Sequence, residues 1–333
     1  MAQTTIEWTS QHLPDGRIVP GYTLNAWSGC TKVILPSGQP DPQCVFCYAE
    51  REEDKRRGRS KWGKGNPRTM FKSWRDNLRK WDALARKEGV YPFVFAHPLS
   101  DWADHEAQVP DAWRDEEFAL VEKYDHLTYL FLTKRVDYAA EYLSRRYPNG
   151  IPDHIWFGYS AGNREALQYR SRDAQHVKAS HIFVSAEPLV ENIADDLDAL
   201  LLSGMRLDWF LTGGETGSFE QIAPRIAHSQ WYRDAFGVVH RHRKPKHFKQ
   251  WGNLAPIDQS ECGVIPAQGA VVTRLGERAH LTSGTMPAFL DGLVLAGEPA
   301  ELHGFLGGSQ GKHAHGRRLY GEEYHEHPEV RVD

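Results

Sequence analysis

Cysteine is scarce in this chain. It holds four in 333 residues, and three of them, Cys30, Cys44 and Cys47, fall within eighteen positions while Cys262 stands alone. That distribution excludes the disulfide framework of a small secreted protein, which spaces many paired cysteines along a short chain. Long apolar runs are missing too, and none approaches the ~20 residues that a membrane-crossing helix needs. The opening Met-Ala-Gln-Thr-Thr-Ile-Glu-Trp has no basic leader and no apolar core, so it does not read as a signal peptide. A reducing cytoplasm is the expected compartment. Excess charge of one sign is also absent. With 40 Lys and Arg against 44 Asp and Glu the net charge is −4, which gives no general argument for nucleic acid as a partner. Basic segments exist only locally, at Arg51 to Lys64 and His240 to Lys249, and such runs are more often solvated faces than phosphate contacts.

Hydrophobic residues at 40% and charged residues at 25% are ordinary for a globular domain. The length suits one large α/β domain with a decorated end. Eleven tryptophans exceed what a plain scaffold needs, so some can line a ligand site while most pack the core.

The clustered cysteines organise the rest. Thirteen residues separate Cys30 from Cys44, and two separate Cys44 from Cys47. The loop between holds Pro36, Pro40, Pro42 and Gly38, so it can fold back and bring Cys30 beside the closer pair. Three thiolates on one loop suit a soft metal. A structural zinc normally takes four ligands, and a cluster with four thiolates is coordinatively full. Three thiolates on a four-iron cluster leave one iron open. A zinc completed by a histidine, a redox dithiol at Cys44 and Cys47, and plain buried thiols are the alternatives on spacing alone.

Beyond this stretch the pattern alternates. Helices are expected at Tyr48 to Arg57, Phe71 to Lys87, Ala112 to Tyr124, Val136 to Arg146, Arg164 to Arg172, Asp195 to Ser203 and Ser229 to Val239. Apolar strands are expected at Tyr22 to Trp27, Tyr91 to Ala96, Thr128 to Leu132, Ile155 to Tyr159, His181 to Ser185, Asp208 to Thr212 and Lys246 to Lys249. Such alternation means parallel βα units, and the fold class read here is α/β, a parallel (β/α) barrel or partial barrel. In these folds chemistry gathers at the carboxyl ends of the strands. Those ends carry Asp101, Lys134 and Arg135, Ser160 with Asn163, Glu187, Glu215, and Lys249 with Gln250. Helix capping is the bland reading of any one of them. After the sixth strand, Gly213-Gly214-Glu215 offers backbone that a ligand can approach and a carboxylate that can accept from an ammonium or a ribose hydroxyl. Residues 1–252 are read as the barrel with its cysteine loop, and 253–333 as an irregular extension packed on it. Its histidines His303, His313, His315, His325 and His327 form no clean metal-site spacing.

Cys44-Val45-Phe46-Cys47 resembles the way radical-SAM enzymes, which cleave S-adenosylmethionine reductively, end their cluster loop. Their first gap is usually shorter than thirteen. The longer stretch Trp27-Ser28-Gly29-Cys30-Thr31-Lys32-Val33, then Cys44-Val45-Phe46-Cys47-Tyr48-Ala49-Glu50, resembles a phage-associated three-cysteine-motif family usually considered radical-SAM-like. Ile6-Glu7-Trp8-Thr9, Leu132-Thr133-Lys134-Arg135, Ser185-Ala186-Glu187-Pro188, Gly213-Gly214-Glu215-Thr216-Gly217 and Phe248-Lys249-Gln250-Trp251-Gly252 are also similar to that family. The resemblance covers most of the chain and is looser between Cys30 and Cys44 and from Asn253 to Gly304.

It implies a [4Fe–4S] cluster on Cys30, Cys44 and Cys47, with S-adenosylmethionine on the open iron. A one-electron reductant would then release a 5′-deoxyadenosyl radical that abstracts hydrogen from substrate. Lys134, Arg135, Ser160, Asn163, Gly213, Gly214 and Glu215 would bind the cofactor. Glu187 and Lys249 would act in catalysis, the former holding a ribose or accepting a proton, the latter meeting an anion. A nucleotide or DNA base is the preferred substrate, with a partner protein left open and no membrane partner. The alternative is a zinc-stabilised nucleic-acid-binding or hydrolytic phage protein.

Overall fold

A computed structural model describes residues 4, 6–105, 109–216, 225, 227 and 229–250, residues 326–328, and the backbone of short strands between 254 and 323. Seven strands form its main sheet: β1 (Tyr22–Leu24), β2 (Phe93–Ala96), β3 (Thr128–Thr133), β4 (Ile155–Ser160), β5 (Ile182–Ala186), β6 (Trp209–Thr212) and β7 (Lys246–Phe248). They lie side by side in chain order, and every neighbouring pair is parallel. Helices α1 (Trp74–Glu88), α2 (Asp111–Lys123), α3 (Val136–Arg146), α4 (Arg164–Ala174), α5 (Ala194–Leu202) and α6 (Ser229–Arg241) fill the crossovers. The sheet curls into a half-barrel, open between β1 and β7. The expected α/β partial barrel is therefore present.

Strand alternation sorts the core into two layers. Val94, Tyr129, Phe131, Phe157, Val184 and Phe210 face outward and pack with the helices, including Trp74, Leu78 and Trp81 of α1 and Phe118 of α2. The concave side holds a second cluster: Phe93, Leu130, Trp156, Phe183, Trp209 and Leu211, with Trp8. Each such buried side chain contributes about 1.5–3 kcal/mol of apolar transfer. Gly158 sits opposite Phe183 in the β4–β5 pairing. A Cβ there would lie 2.2 Å from the Phe183 ring, so only glycine lets that ring fill the interior. At the amino end of the strands Phe93 and Trp209 pack against His327, which plugs the base of the half-barrel. The carboxyl end stays open.

Three expectations change. The segment Tyr48 to Arg57 is not one α-helix, because after Tyr48–Glu50 the turn widens to a π-helix over Arg51–Arg56. The first strand ends at Leu24, since the Asn25 side chain accepts from Leu99 N and turns the chain aside; Trp27–Ser28 pairs instead with Thr69–Met70. Part of the stretch past 252 read as irregular is ordered by backbone pairing, with Leu254–Pro256, His303–Phe305, Gly269–Val272 and Arg278–Leu281 forming an antiparallel sheet. Short strands with weak alternation give little periodic signal. Among the described residues no helix is long and apolar enough to cross a membrane.

Candidate functional site

The cysteine loop is built from local capping and one buried ion pair. Asp41 precedes Pro42 and starts a short helix, Pro42–Val45, its side chain accepting from Gln43 N at 2.7 Å. Cys47 caps the next turn, with its Sγ 3.5 Å from Glu50 N. The second Asp41 oxygen meets Arg170 of α4, and neither side chain reaches solvent. Arg170 also donates to the Lys134 carbonyl at 2.9 Å and the Ser160 carbonyl at 2.8 Å. One guanidinium thus fastens the loop to the carboxyl ends of β3 and β4.

Those ends open into a cavity of about 930 Å³, near the top of the ~300–1,000 Å³ range of small-molecule sites. Cys30, Cys44 and Cys47 line it together with Lys134, Arg135, Ser160, Glu187, Gly214, Glu215 and Lys249. Two predicted site residues stand behind the wall. Asn163 accepts from Ala166 N at 3.1 Å and caps α4. Gly213 makes room for the wall, since a Cβ there would lie 3.1 Å from Glu187 Oε1 and 3.2 Å from the Gln250 carbonyl.

Cations face the sulfurs. Arg135 Nη1 lies 3.6 Å from Cys30 Sγ and 2.9 Å from Asp101, which also accepts from Thr133 Oγ1 at 2.7 Å and Lys134 N at 3.1 Å. Burial pushes the Cys30 thiol up to about 12, against the pull of Arg135. Burial likewise raises Cys44, against Lys134. Burial works against the charge of Lys134, but Cys44, Asp41, Cys47 and Asp101 together raise its pKa. Burial therefore favours the protonated thiols of Cys30 and Cys44, and a bound cation must displace those protons. The donor set fits a soft metal: three sulfurs, with two cations placed to offset thiolate charge. Among the described residues the one group of three His, Cys, Asp or Glu whose ligand atoms all lie within 4.8 Å of one another is Asp82, Asp125 and His126, which Arg86 already pairs.

The opposite wall is a hydrogen-bonded network around Glu187. Lys249 Nζ donates to Glu187 Oε2 at 2.8 Å and Ser185 Oγ at 3.2 Å, and sits 4.4 Å over the Trp8 ring. Gln250 Nε2 donates to Glu187 Oε1 at 2.8 Å, and Gln43 Nε2 to the Glu187 carbonyl at 2.8 Å. Both oxygens of Glu215 accept from Arg225, which reaches on to the Pro42 carbonyl. Glu215 thus holds the loop in place.

Several contributors were not singled out from the sequence. Gln43 and Trp8 line the cavity, and the Asp41-Pro42 capping signal is the cue for the first. His97 lines it too, at a left-handed φ of 58°, with its ring nitrogens bound to Ser100 Oγ at 2.7 Å and Glu117 at 2.9 Å. The basic runs prove largely ion-paired. Arg56 holds Glu52, Arg57 and Arg59 hold Glu53, and Lys61 holds Asp54. In the second run Arg241 and His242 meet Asp198, and Lys246 meets Glu326. Cys262, Trp251, Gly252, Gly217, His313, His315 and His325 lie outside the described residues, and only the backbone of His303 is described.

A family model described as "Protein of unknown function (DUF5131)" matches residues 3–328. No curated protein and no solved structure matches the chain.

Proposed function

We propose that this chain, which belongs to the DUF5131 family of proteins of unknown function, is a radical-SAM-like iron–sulfur enzyme acting on a nucleotide or DNA base. The observation that carries the reading is convergence. Three cysteines from one loop and two cations from one strand end, Lys134 and Arg135, face the same cavity at the carboxyl end of a parallel half-barrel. On a four-iron cluster three thiolates each take a different iron and leave the fourth open.

When bound, a [4Fe–4S] cluster on Cys30, Cys44 and Cys47 supplies an open iron for S-adenosylmethionine and, with one electron from an external reductant, the reductive cleavage that precedes hydrogen abstraction. The chain's own residues do the rest. Arg135, held by Asp101, and Lys134 offset the thiolate charge and offer cations to a carboxylate or phosphate. Lys249 and Glu187 hold a fixed hydrogen-bond pair on the opposite wall, where they orient substrate polar groups. Trp8, Phe95 and Leu132 line the floor between these walls and exclude water from it.

The test is iron, sulfide and the visible spectrum of anaerobically purified protein, beside a Cys30→Ala/Cys44→Ala/Cys47→Ala variant. About four irons with matching sulfide, lost in the variant, are expected. One zinc and no iron sinks the proposal in favour of a zinc-stabilised nucleic-acid-binding or hydrolytic protein.

A further inference from the structure

The first basic run is exposed where its acids are not. Between Tyr48 and Lys64 the chain carries seven Lys and Arg against four Asp and Glu, a local excess of +3 in a protein of net charge −4. Glu52, Glu53 and Asp54 lie beneath the segment, their side chains at most 8% exposed. The cations they hold stand in solvent: Arg56 is 71% exposed and Lys61 62%, with Arg57 and Arg59 nearly half exposed. Lys55 and Lys64 are exposed beside them. A guanidinium carries five N–H donors, so an arginine held from below by one acid still offers an edge to a phosphate. The segment is fixed to the mouth of the cavity. Gly63 N donates to the Cys30 carbonyl at 2.9 Å, Trp62 N donates to Asp54 at 2.9 Å, and the Trp62 side chain lines the cavity. Two aromatic rings of the cysteine loop line it too, each against a guanidinium: Tyr48 with Arg51 at 5.6 Å and Phe46 with Arg225 at 5.4 Å. Among the described residues five large apolar side chains are exposed, and three of these, Ile34, Val45 and Tyr48, belong to this loop.

We propose that the segment from Tyr48 to Lys64 docks a single strand of DNA, so that the substrate base reaches the cavity as part of a polynucleotide. This deepens the function proposed above and rests on the cavity taking a DNA base. Charge selects the partner. Clustered cations whose counter-charges are buried match a run of phosphates, which holds one negative charge per nucleotide. The rings of Tyr48 and Phe46 give a base a stacking face at the entrance, and such stacking tolerates any sequence. A duplex fits less well, because a base enters a cavity only after leaving its stack and its pairing partner, and a single strand has no pairing to give up. The basic segment follows Cys47 directly and bonds the backbone of Cys30, so strand docking is set beside the metal centre by the same stretch of chain.

The experiment is fluorescence anisotropy of a labelled DNA strand of about 12 nucleotides with anaerobically purified protein, from about 50 to about 200 mM salt. The same sequence as duplex and as RNA, and a 2′-deoxynucleoside 5′-monophosphate, are run as competitors. The DNA strand is expected to bind most tightly, about tenfold or more over the monophosphate, with a log–log salt slope of about −3 or steeper. Arg56→Gln/Arg57→Gln/Lys61→Gln is expected to flatten that slope by about 2, each lost phosphate contact removing about 0.7. Lys55→Gln/Lys64→Gln leaves the buried acids paired, and Glu50 keeps Lys32, so it serves if the triple variant does not fold. It is expected to flatten the slope by about 1. No strand binding, binding no tighter than the monophosphate, or duplex or RNA binding as tightly as the DNA strand overturns the inference. So does a slope unchanged in every folded variant. S-adenosylmethionine cleavage in the variants that fails with a flavodoxin as reductant but survives with dithionite, while strand binding is intact, also overturns it, because the surface then serves an acidic electron carrier. Iron and sulfide measured in the same samples report separately on the cofactor. Protein without iron that still binds the strand sinks the cluster and leaves the docking surface standing. Protein with iron that binds no strand does the reverse.

Discussion

Four donors converge on the carboxylate of Asp101: Ala103 N, Thr133 Oγ1, Lys134 N and Arg135 Nη1. Burial alone would raise its pKa, but Arg135 and the bonds from Thr133 and Lys134 hold it below the ordinary 3.8. A carboxyl depressed in the folded state stabilises fully above its unfolded pKa, and the contribution fades as pH falls through the lower folded value. Asp101→Asn leaves Arg135 buried without its partner, a change that costs about 3–5 kcal/mol. Urea denaturation is expected to show that deficit unchanged from pH 7 down to about 5 and shrinking below 3.8. A deficit that grows with acid would contradict the assignment. The same residue aims Arg135 at Cys30, so reconstituted Asp101→Asn protein is expected to retain less iron than wild type.

At the scale of elements, helix α4 serves the site from behind. Its amino end is capped by Asn163, while Arg170 in its middle clamps Asp41 of the cysteine loop. The two contacts predict opposite outcomes. Asn163→Ala removes a cap worth about 1 kcal/mol and is expected to leave iron content unchanged. Arg170→Met strands Asp41 in a dry site, costing about 3–5 kcal/mol, and frees the segment that carries Cys44. Loss of iron retention is expected with Arg170→Met alone. Equal iron loss in both variants would place Asn163 among the ligand-binding residues after all.

Across the whole molecule, the concave face is closed at one end and open at the other. Trp8 spans the gap of the half-barrel, edge-on to Phe95 of β2 at 4.8 Å and beneath Lys249 just past β7. At the base, Trp209 Nε1 donates to the Glu326 carbonyl at 2.8 Å, and Lys246 Nζ meets the Glu326 carboxylate at 2.7 Å. That contact ties residues near the end of the chain to the two last strands. Glu326→Gln keeps the shape and removes the charge opposite a buried lysine, so a loss of about 1–3 kcal/mol is expected in thermal or urea unfolding. No loss would show that the tail contributes nothing to the barrel's base.

The amino-acid sequence by itself determined the parts set by local chemistry. Seven apolar strands alternating with helices, the boundaries of α3 at Val136 and Arg146, and the placement of Lys134, Glu187 and Lys249 at strand ends all follow from periodicity and turn residues. The cysteine spacing announced a shared site before any fold was known. Only the tertiary structure decided which polar groups face the cavity. Glu215 lines the cavity with both oxygens accepting from Arg225, whereas Asn163 stands behind the wall and caps a helix. The Asp41-Pro42 capping signal marks the turn that carries Gln43 but not its side-chain partner, which lies 144 positions away on the far side of the barrel. Side-chain pairing across a curled sheet depends on the register of all seven strands at once, and no window of sequence contains that sum.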